Sequence, residues 1–294
     1  MFSGSIPALV TPFADGSFDE ASFRALIDWQ IESGSSALVP CGTTGEAATM
    51  TIEEHDHVVR VCVQQAQGRV PVIAGCGSND TAVALHHIHA AKAAGATAAL
   101  LVPPYYNRPN QEGVFRHFEV LAAQGGLPIV LYNVPARTVT DIAVETVERI
   151  VKVFPEVVVG IKDATGQMAR VSEHRQRCGA AFAQLSGNDD MSLAFMAMGG
   201  MGAISVTANV APAMCAEFQD ACAAGDYGRA LTLQDRLYPL HAALFTDASP
   251  APVKYALGRV RPGFPTDLRL PMTPASPASR AAVDAALAHA GLVG

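Results

Sequence analysis

Lys162 follows the apolar run Val157-Val158-Val159-Gly160-Ile161, inside the segment Gly160-Ile161-Lys162-Asp163-Ala164-Thr165-Gly166. Such a run reads as a fully buried strand. An amine at its end points into an apolar interior, where burial favours the neutral form and lowers its pKa from about 10.4. A neutral amine attacks carbonyl groups and forms a Schiff base. The plain alternative is a lysine that snorkels to solvent from the strand end. Two further segments favour the first reading. Tyr132 ends the run that starts at Leu127, and Gly42-Thr43-Thr44-Gly45-Glu46 follows the run at 37–39.

Each partner has its own chemistry. Tyr132 is a candidate acid/base beside an imine, or else a packed aromatic with a satisfied hydroxyl. The glycines of Gly42-Thr43-Thr44-Gly45 permit a tight turn whose N–H groups and hydroxyls suit a small carboxylate. A simple capping turn is the bland alternative. Arg137 lies on the loop after Tyr132, in Asn133-Val134-Pro135-Ala136-Arg137-Thr138. Its planar fork suits a second carboxylate, or else a surface salt bridge. His86, His87 and His89, with His55 and His57, invite a metal reading. They fall on helical segments without converging carboxylates at ligand spacing, so a solvated or interface face is expected. Cys41 borders the Gly-Thr-Thr turn, yet no charged neighbour in sequence would activate it as a nucleophile.

The elements that must position these residues recur with a regular beat. Apolar runs fall at 6–10, 37–39, 70–74, 98–102, 128–132, 157–161, 182–185 and 202–206. Helix-period segments lie between them. Asp19 caps the first, where Phe23, Leu26, Ile27 and Ile31 share a face and Gly34 ends it. Others open at Ile52 and at Thr81. Eight strands alternating with helices predict a parallel (β/α)8 barrel, whose active site gathers at the C-terminal strand ends. An open doubly wound sheet would show a glycine-rich fingerprint after its first strand, and Thr11-Pro12-Phe13 stands there instead. Helical patterns at 213–224, 227–245, 252–259 and 279–289 predict a C-terminal appendage. The expected division is a barrel over 1–225 and a helical region over 226–294.

Composition narrows the function. The 294 residues are 50% hydrophobic and 16% charged, with mean hydropathy +0.22. A large buried core follows. No apolar run reaches the roughly 18 residues that span a bilayer. The net charge of −7 and the lack of Lys/Arg clusters argue against nucleic acid. Six cysteines without a C-x-x-C pair read as buried thiols. The start, Met-Phe-Ser-Gly-Ser-Ile-Pro, has no basic segment and no long apolar stretch, so a cytoplasmic location is expected.

The motifs together resemble the pyruvate-dependent class I aldolase family that includes N-acetylneuraminate lyase and dihydrodipicolinate synthase, the latter branch most. The matching segments are Thr11-Pro12-Phe13, Gly42-Thr43-Thr44-Gly45-Glu46, Pro103-Pro104-Tyr105-Tyr106-Asn107, Tyr132-Asn133-Val134-Pro135, Gly160-Ile161-Lys162-Asp163-Ala164-Thr165, Ser186-Gly187-Asn188-Asp189 and Ile204-Ser205-Val206-Thr207-Ala208-Asn209. The deciding features for the branch are the Thr-Thr pair, the two tyrosines before Asn107, and Arg137-Thr138. The resemblance implies that Lys162 forms an imine with pyruvate. It implies a proton relay of Tyr132, Thr43 and Tyr106, with Tyr106 reaching in from a neighbouring subunit. Thr44, Ile204 and Gly187 would help to bind substrate, and Arg137 would take the carboxylate of L-aspartate 4-semialdehyde. No metal or organic cofactor is implied, because a protonated imine is itself the electron sink. A homo-oligomer, a dimer or a dimer of dimers, is implied by the shared relay. Val139 departs from the glycine that often follows Arg-Thr in the family.

Two other functions compete. One is a sister aldolase or dehydratase for a sugar-derived 2-keto acid, against which Arg137 and the Thr-Thr pair argue. The other is a non-catalytic keto-acid sensor, against which the intact set of Lys162, Tyr132, Thr43 and Tyr106 argues. In lysine-inhibited relatives the resemblance places the effector between subunits, with its ammonium on a glutamate. Asn79, Tyr105 and His55 match effector contacts here, whereas Val83 and Ile52 stand where a glutamate and a histidine are expected. Lysine inhibition is therefore expected to be weak or absent.

Overall fold

A computed structural model describes residues 2–294. Its strands are β1 (Gly4–Pro7), β2 (Phe13–Ala14), β3 (Ser17–Phe18), β4 (Ile73–Gly75), β5 (Ala98–Leu101), β6 (Ile129–Asn133), β7 (Val158–Asp163), β8 (Ala183–Ser186) and β9 (Gly202–Ser205). Its helices begin with α1 (Glu20–Glu32), α2 (Ile52–Ala66), α3 (Thr81–Ala94), α4 (Gln111–Gln124), α5 (Pro135–Thr138) and α6 (Val144–Val153). They continue with α7 (Ala169–Cys178), α8 (Ser192–Ala197), α9 (Pro212–Ala223), α10 (Tyr227–Ala243), α11 (Ala251–Val260) and α12 (Pro277–Ala290).

Seven strands form one parallel sheet in the order β1-β9-β8-β7-β6-β5-β4. The sheet curls, and its edges meet through a short piece of chain. Val39 exchanges backbone hydrogen bonds with Pro7 and Leu9 on one side, while Leu38 bonds Pro71 and Ile73 on the other. The run at 37–39 was expected as a full strand. It makes only isolated bridges, to Ala8 and Val72, because its pairing is too short for a ladder. The run at 70–74 likewise enters the sheet only at Ile73. The α/β architecture is thus TIM-barrel-like.

Parallel strands covered on both faces read as unbroken apolar runs, but their side chains still alternate. Ile6, Ala98, Leu100, Val130, Tyr132, Leu185 and Ile204 form the inner cluster. Ala99, Leu101, Ile129, Leu131 and Ile161 pack outward against the helices. By the same alternation Lys162, next after Ile161, belongs to the inner face.

Local chemistry starts α1, α2 and α3 where expected, and α4 at a cap not anticipated. Asp19 accepts from the Ser22 N–H, Thr51 from Glu54, Asp80 from Ala82, and Asn110 from Gly113, each satisfying donors that a helix start leaves open. The C-terminal helices α9 to α12 fall within a few residues of their expected bounds. The hairpin β2–β3 was not anticipated. Its turn is Asp15-Gly16, both at positive φ, a hairpin signal hidden between runs too short to count. No helix among the described residues is long and apolar enough to cross a membrane.

Candidate active site

Lys162 and Tyr132 occupy paired register positions on β7 and β6. Both are buried. The Lys162 Nζ lies 4.3 Å from the centre of the Tyr132 ring, a cation–π distance. Among the described residues no carboxylate forms an ion pair with this amine.

The strand ends that carry the pair are braced from behind. Asn133, next to Tyr132, donates from Nδ2 to Asp141 Oδ1 at 2.7 Å and accepts the Ile142 N–H at 3.1 Å. Arg170 is buried, pairs with Asp141 at 2.7 Å and donates to the Ile142 carbonyl at 2.7 Å. Asp163, next to Lys162, accepts from the Thr165 N–H and hydroxyl. Arg170 stands 4.0 Å from it. Charge-assisted bonds of this kind fix geometry strongly. Asn133 and Asp163 were visible as motif residues. Asp141 and Arg170 gave no sequence signal.

Tyr132 also lines a cavity of about 520 Å³, together with Gly42, Thr43, Tyr105, Val134, Arg137 and Thr138. Thr43 is exposed to it, and Thr44 is buried. The turn is closed by bonds from the Gly45 N–H to the Gly42 carbonyl and from Glu46 to Thr43. Among the described residues no acceptor takes the N–H of Thr43 or Thr44. Gly75 lets the turn approach, since a Cβ there would lie 2.2 Å from the Cys41 carbonyl oxygen.

A buried ion pair ties this turn to the C-terminal helices. Glu46, in left-handed backbone at φ +57°, meets Lys254 of α11 at 2.5 Å, and Lys254 is fully buried. The Lys254 ammonium also lies 4.5 Å from the centre of the Phe13 ring and donates to the Asp267 carbonyl at 2.7 Å. Burial pushes its pKa down, and Glu46 pulls against that. Ser249, Pro250, Pro271 and Met272 reach the same cavity. Nothing local in sequence announces contacts between residues so far apart.

Other candidates fall less centrally. Arg137 is exposed on α5 and lines the cavity. Val139 caps α5 in left-handed backbone, φ +54°, where a β-branched residue is strained and glycine is not. Ile204 is fully buried on β9. Gly187 packs so closely that a Cβ would sit 2.6 Å from the Ala164 Cβ. Tyr106 stands apart, 90% exposed and at φ +70°. Cys41 is buried and its thiol is pushed well above its ordinary range by desolvation, so it does not supply a thiolate.

The histidines require a correction. All five were expected on a solvated or interface face without converging carboxylates, and His86 and His89 are exposed. His55 and His87 are instead buried and line the cavity. Asp56 reaches His55, His86 and His87 within 3.5 Å. The adjacent sequence position of Asp56 hides this, because convergence happens across α2 and α3. Burial, then His87, push His55 down to about 4.

Comparison with known proteins agrees with this architecture. A model of the dihydrodipicolinate synthetase family matches residues 1–290. A 4-hydroxy-tetrahydrodipicolinate synthase of Rhizorhabdus wittichii is 71% identical over 292 residues, covering 99% of this chain and 100% of that protein. The crystal structure of dihydrodipicolinate synthase from Aquifex aeolicus superposes with TM-score 0.96 at 40% identity, covering 99% of both chains. That of the chloride-inhibited enzyme from Acinetobacter baumannii complexed with pyruvate gives TM-score 0.95 at 41% identity over 100% of both. A family match over nearly every residue, on a fold that places Lys162 beside Tyr132, shows that the chain belongs to the dihydrodipicolinate synthetase family.

Proposed function

We propose that this protein is a class I lyase that condenses pyruvate, held as a Schiff base on Lys162, with L-aspartate 4-semialdehyde. The product is 4-hydroxy-tetrahydrodipicolinate, on the route to diaminopimelate and lysine. The carrying observation is the Lys162–Tyr132 pair, buried at adjacent strand ends with Tyr132 on the wall of the cavity that Thr43 and Arg137 also line.

The chemistry follows from those placements. The Lys162 amine adds to the ketone carbon of pyruvate, and water leaves to form the imine. The protonated imine draws electrons as a methyl proton is lost, giving an enamine. The enamine carbon attacks the aldehyde carbon of the acceptor and a carbon–carbon bond forms. The acceptor's own amine then displaces Lys162 and closes the ring. Tyr132 and Thr43, with Tyr106 of a neighbouring subunit, carry the protons. The N–H groups of Thr43 and Thr44 suit the pyruvate carboxylate, with Ile204 and Gly187 shaping its pocket. Arg137, on the cavity rim, takes the acceptor carboxylate. No step calls for a cofactor.

The closed ring of strands supports a (β/α)8 barrel over 1–225. Leu233, Leu237 and Leu240 of α10 share one core cluster with Val210 and Phe218, which supports a 226–294 region packed on the barrel. An aromatic as exposed as Tyr106, held in left-handed backbone, supports an assembly of at least two chains.

The test combines trapping with turnover. Borohydride reduction with pyruvate should leave a three-carbon adduct on Lys162, and a coupled assay should show condensation with aspartate semialdehyde. An adduct on another residue, or none, overturns the mechanism. An adduct without semialdehyde turnover, but with turnover of a sugar-derived 2-keto acid, would move the protein to a sister activity.

A further inference from the structure

We propose that His55, Asp56 and His87 form a binding site for one divalent transition-metal cation of the zinc type, beside the substrate cavity. The inference does not depend on the reaction assigned above.

The hydrogen bonds of His55 fix its protons. Its Nε2 lies 2.8 Å from the Gly75 carbonyl oxygen, which only accepts, so Nε2 carries the hydrogen. In the neutral ring Nδ1 then presents a lone pair. This atom is buried and has no hydrogen-bond partner, within a residue 4% exposed. It faces Asp56 Oδ1 at 3.5 Å, another acceptor. A buried acceptor nitrogen without a donor, 3.5 Å from a half-buried carboxylate oxygen, leaves room for the two to share a cation.

A third ligand stands ready. His87 Nδ1 lies 3.3 Å from the same Asp56 Oδ1, in a hydrogen bond that a shared metal ion would replace. The three ligand atoms all lie within 4.8 Å of one another. Zinc bonds of about 2.0–2.1 Å to nitrogen and oxygen, in tetrahedral array, put neighbouring ligand atoms about 3.3–3.4 Å apart. The two edges that meet at Asp56, 3.5 and 3.3 Å, are close to that length.

The outer contacts fit as well. Metal-binding histidines usually give their other N–H to a carbonyl or carboxylate, and metal-binding carboxylates are themselves hydrogen-bonded. His55 does the first through Gly75, and Asp56 Oδ2 meets His86 Nε2 at 2.9 Å. Two imidazoles and one carboxylate select zinc, cobalt or nickel over magnesium or calcium. His55 and His87 both line the cavity that holds Thr43, Tyr132 and Arg137, so the remaining coordination position is reachable from it.

The experiment uses the full-length, chelator-treated protein titrated with zinc chloride or cobalt chloride. Calorimetry should show one zinc per chain, saturating in the micromolar range. Cobalt should give visible bands of a four-coordinate nitrogen–oxygen site without a thiolate charge-transfer band. Asp56→Asn and His87→Ala should each weaken zinc at least tenfold, whereas His89→Ala, at an exposed histidine bonded to Gln124, should not. Circular dichroism of the metal-free variants checks folding, and the wild-type cobalt spectrum needs no variant. No saturable binding below millimolar zinc, a thiolate band, or full affinity in both folded variants would each overturn the site.

Discussion

Lys162 and Tyr132 are direct register partners across β7 and β6, with the lysine amine 4.3 Å from the centre of the tyrosine ring. The two strands share one hydrogen-bond ladder, so neither side chain moves without the other's backbone. Pairing of Asn133 with Asp163, one step further along, brings the Asp141–Arg170 network against the same strand ends. The Lys162–Tyr132 pair is thereby held on strands, and the other cavity contacts come from the turn at 42–46 and the loop at 134–139.

Arg137 is expected to govern the acceptor. Arg137→Ala should reduce kcat/KM for aspartate semialdehyde by about ten- to a hundredfold, the loss of one charge-assisted carboxylate contact worth about 1.5–3 kcal/mol. Imine formation with pyruvate, followed by borohydride trapping, should change little. Equal damage to both steps would remove Arg137 from the acceptor site.

Tyr106 is expected to work only across a subunit boundary. Tyr106→Phe should lower kcat strongly without preventing the pyruvate adduct. Hybrids refolded from Tyr106→Phe and Lys162→Ala chains should regain activity that neither parent has, since some sites then combine an intact lysine with an intact tyrosine. A fully active monomer in sedimentation would contradict the shared relay.

The Glu46–Lys254 pair is expected to hold the Gly-Thr-Thr-Gly turn. Lys254→Met leaves Glu46 buried without its counter-charge, which costs about 3–5 kcal/mol. The double variant Glu46→Leu/Lys254→Met should recover much of that stability but not the activity, because the turn has lost its anchor. Additive losses in thermal unfolding would show that the two residues act independently.

Stability should fall in mild acid through His117. Burial is the main cause that lowers this histidine to about 4, with Asp80 opposing it. Its ring is 4% exposed, with Nδ1 bonded to the Thr81 hydroxyl. The folded form therefore stays neutral while the unfolded chain takes up a proton below about 6.5. The stabilisation is complete above that pH and is lost progressively as pH falls toward 4, by about 3 kcal/mol in all. Denaturant midpoints from pH 7 to pH 4 should show it, and His117→Gln should flatten this part of the profile.

Lysine should inhibit weakly or not at all. Val83 and Ile52 line the cavity beside His55 and Tyr105, and an ammonium ion is costly to bury without a counter-charge. The nearby carboxylates are already engaged: Glu54 pairs with Arg269, Asp80 caps α3, and Asp56 meets His86 and His87. Half-inhibition at sub-millimolar lysine in the coupled assay would show that the glutamate is dispensable.

The sequence alone determined the apolar beat, the helix starts at Asp19, Ile52 and Thr81, and the residue types at each strand end. These are local quantities: a cap needs three residues, and a buried strand needs four or five. Lys162, Tyr132 and the Gly-Thr-Thr-Gly turn were legible because each sits where an apolar run stops. Only the tertiary structure decided that Leu38 and Val39 close the sheet with bridges rather than a strand. It alone brought Lys254 under Glu46, Arg170 behind Asp141, and Asp56 between the histidines of two helices. Such contacts join residues from separate turns of the chain, and their geometry is set by how helices pack around a curled sheet. No spacing along the sequence encodes that packing.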